Sequence, residues 1–335
     1  MDILISAQQI IRQANFVLLQ KEWQEKLGRE FGHVFLAYGT QTDVEYFCVH
    51  EDWYKFRDKG LFVLVGGKIT SGQNGREGLL LVTGLEPKEL FFNTSLLKKV
   101  LHQCKRYAEK INAKSIGLAG MLPSFVQRKI QKRELDLQND FGSLFVKGLM
   151  GSTWLVCNSV LELVEPRTKV AVVGVGYLGE FVADVLERRN YKVTRWDTKN
   201  TTNNLDDLRQ CELIIGLTPN GDDLFGYAEL MKGSNVRKVL FDTHPVPSQR
   251  TVDVLNLANI KVFKAIARSN GVETRPALPN FDKKDMPGCM VDGYVRSSKI
   301  GDNTGGVSYD CFDQAASQLG IQTPLLELTP ELELV

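Results

Sequence analysis

An α/β protein in two parts is predicted, with a C-terminal Rossmann-type parallel sheet domain behind an N-terminal α+β substrate domain, and three observations predict it. Short Val/Ile/Leu runs alternate with helical stretches after residue 167, the pattern of a parallel sheet covered on both faces. The turn Gly174-Val175-Gly176-Tyr177-Leu178-Gly179 lies between the first of those strands and a helix. Ahead of it, several β-type runs lead into one long amphipathic helix without regular alternation.

Taken in order, residues 34–83 hold the runs VFLAY, YFCVH, LFVLVGG and GLLLVTG. They predict a small sheet, with residues 71–78 (SGQNGREG) as a hairpin or loop. From residue 93, Leu96, Leu97, Val100, Leu101, Cys104 and Tyr107 recur at helical spacing, and Thr94 or Ser95 is the expected cap. Residues 115–120 (SIGLAG) read as a strand and the apolar run 150–164 as a buried helix, closed by Glu165-Pro166-Arg167. The predicted domains are therefore 1–166, 167–270 and a helical segment 271–335 that packs back on the first. In the second domain the strands are 169–173, 192–196, 213–217, 238–242 and 261–265, with a helix over 178–189. Two further helices are expected at 288–294 and 309–319.

Composition bounds what such a chain does. Of 335 residues 43% are hydrophobic and 24% charged, and 41 Lys+Arg against 40 Asp+Glu leave a net charge of +1. Nucleic acid is not an expected partner, because phosphate neutralisation needs a basic surplus. The basic run 127–133 (QRKIQKR) reads as a solvated helix face. There is no run long enough to predict a transmembrane segment and no signal-peptide pattern at the start, so a cytoplasmic location is expected. Six cysteines without CxxC pairs or His-Cys clusters predict free thiols and no metal site. Cys157 and Cys311 read as packing residues.

The glycine turn carries the chemistry. Its first glycine permits the turn, the second admits a pyrophosphate, and the third lets helix and strand close up, with phosphate at the helix N-terminus beside Tyr177 and Leu178. Asp197 follows Gly179 by 18 residues, at the end of the next strand, where a carboxylate receives ribose hydroxyls and repels a 2′-phosphate. NAD(P)H is the expected cofactor, with NADH favoured by Asp197, although Arg195 and Lys199 flank it. Strand ends supply the opposite wall: Thr218-Pro219-Asn220, and Asp242-Thr243-His244 with His244 as a proton donor or substrate-orienting group.

Outside the turn, ordered segments resemble the long-chain acyl-(acyl-carrier-protein) reductases of cyanobacteria. These are GLLLVTGLEPKEL and SIGLAGMLPSF within residues 78–125, Lys147-Gly148 through Thr153-Trp154-Leu155-Val156-Cys157, KVFKAIARSNG at 261–271, Met286-Pro287-Gly288-Cys289-Met290, and residues 307–325. The resemblance implies an acyl-thioester substrate, with acyl-carrier protein as a carrier partner, reduced to an aldehyde. It also implies NADPH, and it selects Cys289 as the nucleophile. A thiolate takes the acyl group, hydride reduces the carbonyl, and the hemithioacetal collapses to aldehyde and thiolate. Ser152 and Thr153 are candidate substrate or oxyanion donors. The chain departs from the family at the turn, GVGYLG in place of G-A-T-G-x-x-G. Polar Asn and His give way to Leu149 or Met150 and Gly151.

Two other readings stand beside it. One is a Rossmann dehydrogenase of a small hydroxy or amino acid without covalent catalysis, for which Lys264 or His244 would work near the nicotinamide. The other is a non-catalytic, cofactor-sensing protein.

Overall fold

The computed structural model describes residues 31–38, 57–58, 60–71, 76–136, 145–146, 149–197, 204–243, 246–298 and 308–329. His244, Lys199 and the run YFCVH lie outside the described residues. The elements run β1 (His33–Tyr38), β2 (Leu64–Ile69), β3 (Gly78–Thr83), α1 (Pro87–Phe92), α2 (Thr94–Lys110), β4 (Ser115–Leu118), α3 (Leu122–Gln131), β5 (Phe145–Val146) and α4 (Leu149–Leu163). They continue with β6 (Lys169–Val173), α5 (Tyr177–Arg188), β7 (Lys192–Trp196), α6 (Leu205–Arg209), β8 (Leu213–Gly216), a 3-10 turn (Gly221–Tyr227), α7 (Ala228–Met231) and β9 (Lys238–Phe241). The last are α8 (Gln249–Leu257), β10 (Lys261–Ala265), β11 (Thr274–Arg275), α9 (Gly288–Ser297), α10 (Tyr309–Gln318) and β12 (Leu325–Leu328).

The chain divides into two compact units, one of residues 1–148, 269–285 and 289–321, the other of residues 149–268, 286–288 and 322–335. The sequence boundary at 166 is thereby displaced to 148. The apolar α4 makes its helix contacts with α5, so it belongs with the second unit. Of the helical segment 271–335 expected to pack back on the first domain, residues 271–285 and 289–321 fall in the first unit and 286–288 and 322–335 in the second.

In the first unit, β1, β3, β4 and β5 run parallel while β2 and β11 add antiparallel, in the order β11-β2-β3-β1-β4-β5. β1 and β3 are buried along their whole length, as central strands in a covered sheet are. α2 lays Leu97, Val100, Leu101, Cys104 and Ala108 on this sheet. Its cap is Asn93, whose side chain accepts from the Leu96 N–H, in place of Thr94 or Ser95; an Asx side chain reaches the N3 amide from the Ncap position. Along the basic run, Arg128 lies over the Phe91 ring and Lys129 is buried against Glu134 at 2.8 Å, so only part of that run is solvated. α9 approaches β4 through facing glycines: a Cβ at Gly293 would lie 3.7 Å from Gly117. The Ser115 hydroxyl donates to the Gly293 carbonyl at 3.1 Å.

The second unit is a Rossmann-type doubly wound α/β domain. Its sheet order is β12-β10-β9-β8-β6-β7, with five parallel strands and β12 antiparallel at the edge. The order reverses at β6, which has β7 on one side and β8 on the other, and such a switch point opens a crevice at the carboxyl ends of the strands. Trp196, Ile214, Phe241, Val252 and Val262 share the apolar cluster of this unit. Among the described residues no helix is long and apolar enough to cross a membrane.

Candidate functional site at the carboxyl ends of the second sheet

The glycine turn follows β6 directly, and each glycine has a separate physical requirement. Gly174 has φ +96° and a Cβ there would stand 2.7 Å from the Leu217 carbonyl oxygen, so neither the turn nor the strand-to-strand approach tolerates a side chain. Gly179, the third residue of α5, is pressed against the Gly174 carbonyl, and a Cβ would overlap it. Gly176 differs: its Cβ would meet nothing within 4 Å. That open space lies at the N-cap of a twelve-residue helix with no side-chain cap. The first-turn N–H groups, Tyr177 and Leu178 included, point out of the helix, where an anion is favoured. A phosphate group is the kind of anion that such an uncapped helix start with open space before it receives.

Asp197 follows the last residue of β7, partly buried. Arg195 does not turn toward it as a phosphate ligand. Its guanidinium donates to Glu180 at 3.2 Å, to Asp184 at 2.7 Å and to both oxygens of Glu187. Thr218, beyond β8, is buried and donates to the Asn220 carbonyl at 2.8 Å. Thr243, beyond β9, keeps its hydroxyl buried without a hydrogen-bond partner.

Next to these strand ends lies a polar cluster. Lys264, the fourth residue of β10, is 4% exposed inside a strand otherwise made of Val, Phe and Ala at its buried positions. Its charge acts on Asp242, the residue after β9, which also receives a hydrogen bond from the Ser152 hydroxyl in the first turn of α4. Burial pushes the Asp242 carboxyl up to about 6, and the ammonium and the hydroxyl pull against that rise. A buried lysine acting on a carboxyl that burial pushes upward is a common signature of a site that handles protons. Ser152 is thus committed to Asp242 rather than held open as an oxyanion donor. Thr153, 1% exposed, has a buried hydroxyl without a partner.

Cys289 sits elsewhere in the division of the molecule, on the first unit, in the opening turn of α9, with its carbonyl 3.5 Å from a Cβ placed on Gly117. Its thiol is half-buried. Gly288, one residue earlier, packs in the second unit on Ser152, whose Cα would stand 2.5 Å from a Cβ at 288. Cys311, expected in the core, is exposed: Phe312, Ala315 and Ala316 form the buried face of α10 and turn it outward. Cys157 is buried as expected, with its thiol pushed up to about 12. Among the described residues no group of three or more His, Cys, Asp or Glu side chains could hold a metal ion.

The structure therefore gathers Gly174, Gly176, Tyr177, Leu178, Gly179, Asp197, Thr218, Thr243, Ser152 and Thr153 in one unit. It adds the Lys264–Asp242 pair, of which the sequence gives one sign, a lysine inside a Val/Phe/Ala strand.

No family model and no curated protein matches the chain. Among solved structures it is similar to shikimate dehydrogenase from Aquifex aeolicus, with 14% identity over 85% of this chain and 97% of that one at a TM-score of 0.41. Shikimate 5-dehydrogenase from Thermus thermophilus, solved with NADP(H) and shikimate, matches at 13% identity over 86% and 99% of the two chains, TM-score 0.42. Glutamate dehydrogenase from Plasmodium falciparum matches at 11% identity over 88% and 68%, TM-score 0.42.

Proposed function

We propose that the chain is an NAD(P)-dependent oxidoreductase that interconverts a small hydroxy or amino acid and its oxo or imino counterpart without covalent catalysis. The observation that carries this reading is the buried Lys264, whose charge acts on Asp242, at the carboxyl ends of the strands that also present the glycine turn. When bound, the nicotinamide supplies hydride chemistry. The turn at Gly174–Gly179 and the first-turn N–H groups of α5 hold the pyrophosphate. Asp197 accepts from the ribose hydroxyls and favours NADH. In the reducing direction Lys264 delivers the proton that accompanies hydride to the substrate oxygen or nitrogen, and in the oxidising direction it accepts that proton. Asp242 keeps the ammonium oriented, and with its carboxyl raised to about 6 it exchanges a proton within a physiological range. Ser152 fixes the Asp242 carboxyl.

A second reading, reduction of an acyl thioester through Cys289, draws support from a different observation: the thiol is half-buried in the first turn of a ten-residue helix, where the helix N-terminus favours a thiolate. Nicotinamide absorbance separates the two. Wild type, Lys264→Met and Cys289→Ala are assayed against panels of hydroxy acids, amino acids and acyl thioesters. The proposed reading expects turnover of an acid substrate, a loss of about 10²-fold or more in Lys264→Met with dinucleotide affinity retained, and an unchanged Cys289→Ala. Turnover confined to thioesters, abolished in Cys289→Ala, with an acyl adduct in the intact mass of wild type, would overturn it in favour of the second.

A further inference from the structure

Arg195 is drawn off by one face of α5. Glu180, Asp184 and Glu187 recur at helical spacing, so their carboxylates line one side of the helix. Each receives the Arg195 guanidinium: Nε donates to Glu180 at 3.2 Å, Nη2 to Asp184 at 2.7 Å and to Glu187 at 3.1 Å, and Nη1 to the other Glu187 oxygen. All three guanidinium nitrogens are therefore engaged. An exposed ion pair is individually weak, but here three converge on one planar group whose fork suits carboxylates.

The position of this cluster gives it a role. Arg195 is the fourth residue of β7 and Asp197 directly follows the strand, so the two stand at the same strand end. Glu180 belongs to the first turn of α5, next to the glycine turn. On this face of α5 three carboxylates outnumber the one guanidinium they hold, Asp197 adds to the negative side, and Arg188 and Arg189 stand at the far, C-terminal end of the helix. A guanidinium free to reach past Asp197 would be an attractive partner for a 2′-phosphate, and a negative field without it repels one.

We propose that the Glu180, Asp184 and Glu187 carboxylates withhold Arg195 from the adenosine end of the dinucleotide, and that this clasp, with Asp197, selects the cofactor lacking a 2′-phosphate. The inference rests on the dinucleotide reading of the glycine turn. It assigns α5 a second duty: its first turn receives the pyrophosphate, and its acidic face sets which dinucleotide is accepted. The selectivity is thus built from a cation held out of reach as well as from an anion in place.

Dissociation constants for NADH and NADPH, measured by calorimetry on the full chain, test it without recourse to turnover. Wild type is expected to bind NADH about tenfold or more tightly than NADPH, the size of a single charge-assisted hydrogen bond. The triple variant Glu180→Gln/Asp184→Asn/Glu187→Gln should narrow that ratio about tenfold by strengthening NADPH binding. Adding Arg195→Ala to the triple variant should abolish this improvement, while Arg195→Ala alone should bring no improvement in NADPH binding. Glu187→Gln alone is the milder variant, with a smaller shift of the same sign, and all these side chains are exposed or partly exposed. An unchanged ratio in the triple variant, or an improvement that survives the loss of Arg195, would overturn the clasp and leave dinucleotide binding standing. Binding of neither dinucleotide by folded wild type would overturn the dinucleotide reading itself, and the clasp with it.

Discussion

His33 of the first unit and Asp242 of the second are both driven toward their neutral forms by burial, yet only Asp242 has an opposite charge acting on it. His33 stands on β1 with its ring edge-on to Tyr294 at 5.9 Å between centroids, its Nδ1 3.3 Å from the Ser297 hydroxyl and its buried Nε2 without a partner. Gly78 is bare beneath it, since a Cβ there would lie 2.5 Å from the ring. Burial lowers the imidazole to about 4. Asp242 instead has an ammonium and a hydroxyl around it and a carboxyl left near 6. A titratable group packed tightly among apolar neighbours spends its burial on shape. One surrounded by a cation and a donor at the carboxyl end of a parallel sheet is poised to change its protonation state.

The largest expected divergence is kinetic. Asp242→Asn removes the group that orients Lys264 and should lower kcat by about 10²-fold, whereas His33→Gln should leave kcat within about twofold once the protein is folded. Equal losses in the two variants would erase the distinction drawn between the units.

Next in size is the dependence of stability on pH, and the signs are opposite. The folded His33 ring is neutral down to about pH 4, while the unfolded ring takes a proton near 6.5. The unfolded chain therefore binds more protons between those values, and this contribution raises stability as pH climbs from about 4 to 6.5, by about 3 kcal/mol. For Asp242 the folded carboxyl holds its proton up to about 6 and the unfolded one releases it near 3.8. The folded chain binds more protons in that window, so this contribution lowers stability as pH rises from about 4 to 6, by about 1–2 kcal/mol once partial exposure is allowed for. Denaturant melts across pH 4–7 should show a flatter rise for His33→Gln and a steeper one for Asp242→Asn. A shared change of sign would contradict both assignments.

The smallest effect concerns thiols. Cys104 in the first unit and Cys157 in the second are buried and their pKa values are raised by burial, so both should resist a maleimide in the folded state. Among the cysteines of the described residues, Cys311, exposed on α10, should label first and Cys289 second. Mass mapping of the labelled peptides reads the order, and early labelling of Cys104 would show that the first sheet opens more readily than its packing implies.

Local signals made part of this legible in advance. The roles of Gly174, Gly176 and Gly179 depend on neighbours within one strand, one turn and one helix, and the Val-rich strands of the second sheet announce themselves by composition. α8 buries only Thr251, Val252 and Leu255, too narrow a stripe to stand out. Nor can a linear reading see that Ser152 serves Asp242, because that bond needs α4 and the end of β9 brought together from distant parts of the chain. Lys264 is visible as an oddity in a strand, but its partner becomes visible only when β9 and β10 are placed side by side. Cys311 misleads because Tyr309 and Phe312 set the buried face of α10 to either side of it.

The edge of the second sheet sets a constraint on how the protein is made. β12 pairs with β10 through Val262–Leu328 to Ala265–Leu325, yet β11, α9 and α10 are all synthesised between the two strands. As the chain leaves the ribosome, β10 emerges as an open edge whose N–H and C=O groups have no strand on that side. A stalled or truncated chain ending before Leu325 would carry that edge unpaired, exposed to pairing with another nascent copy. Completion of β12 covers the β10 edge and leaves the sheet ending at β12 on that side and β7 on the other.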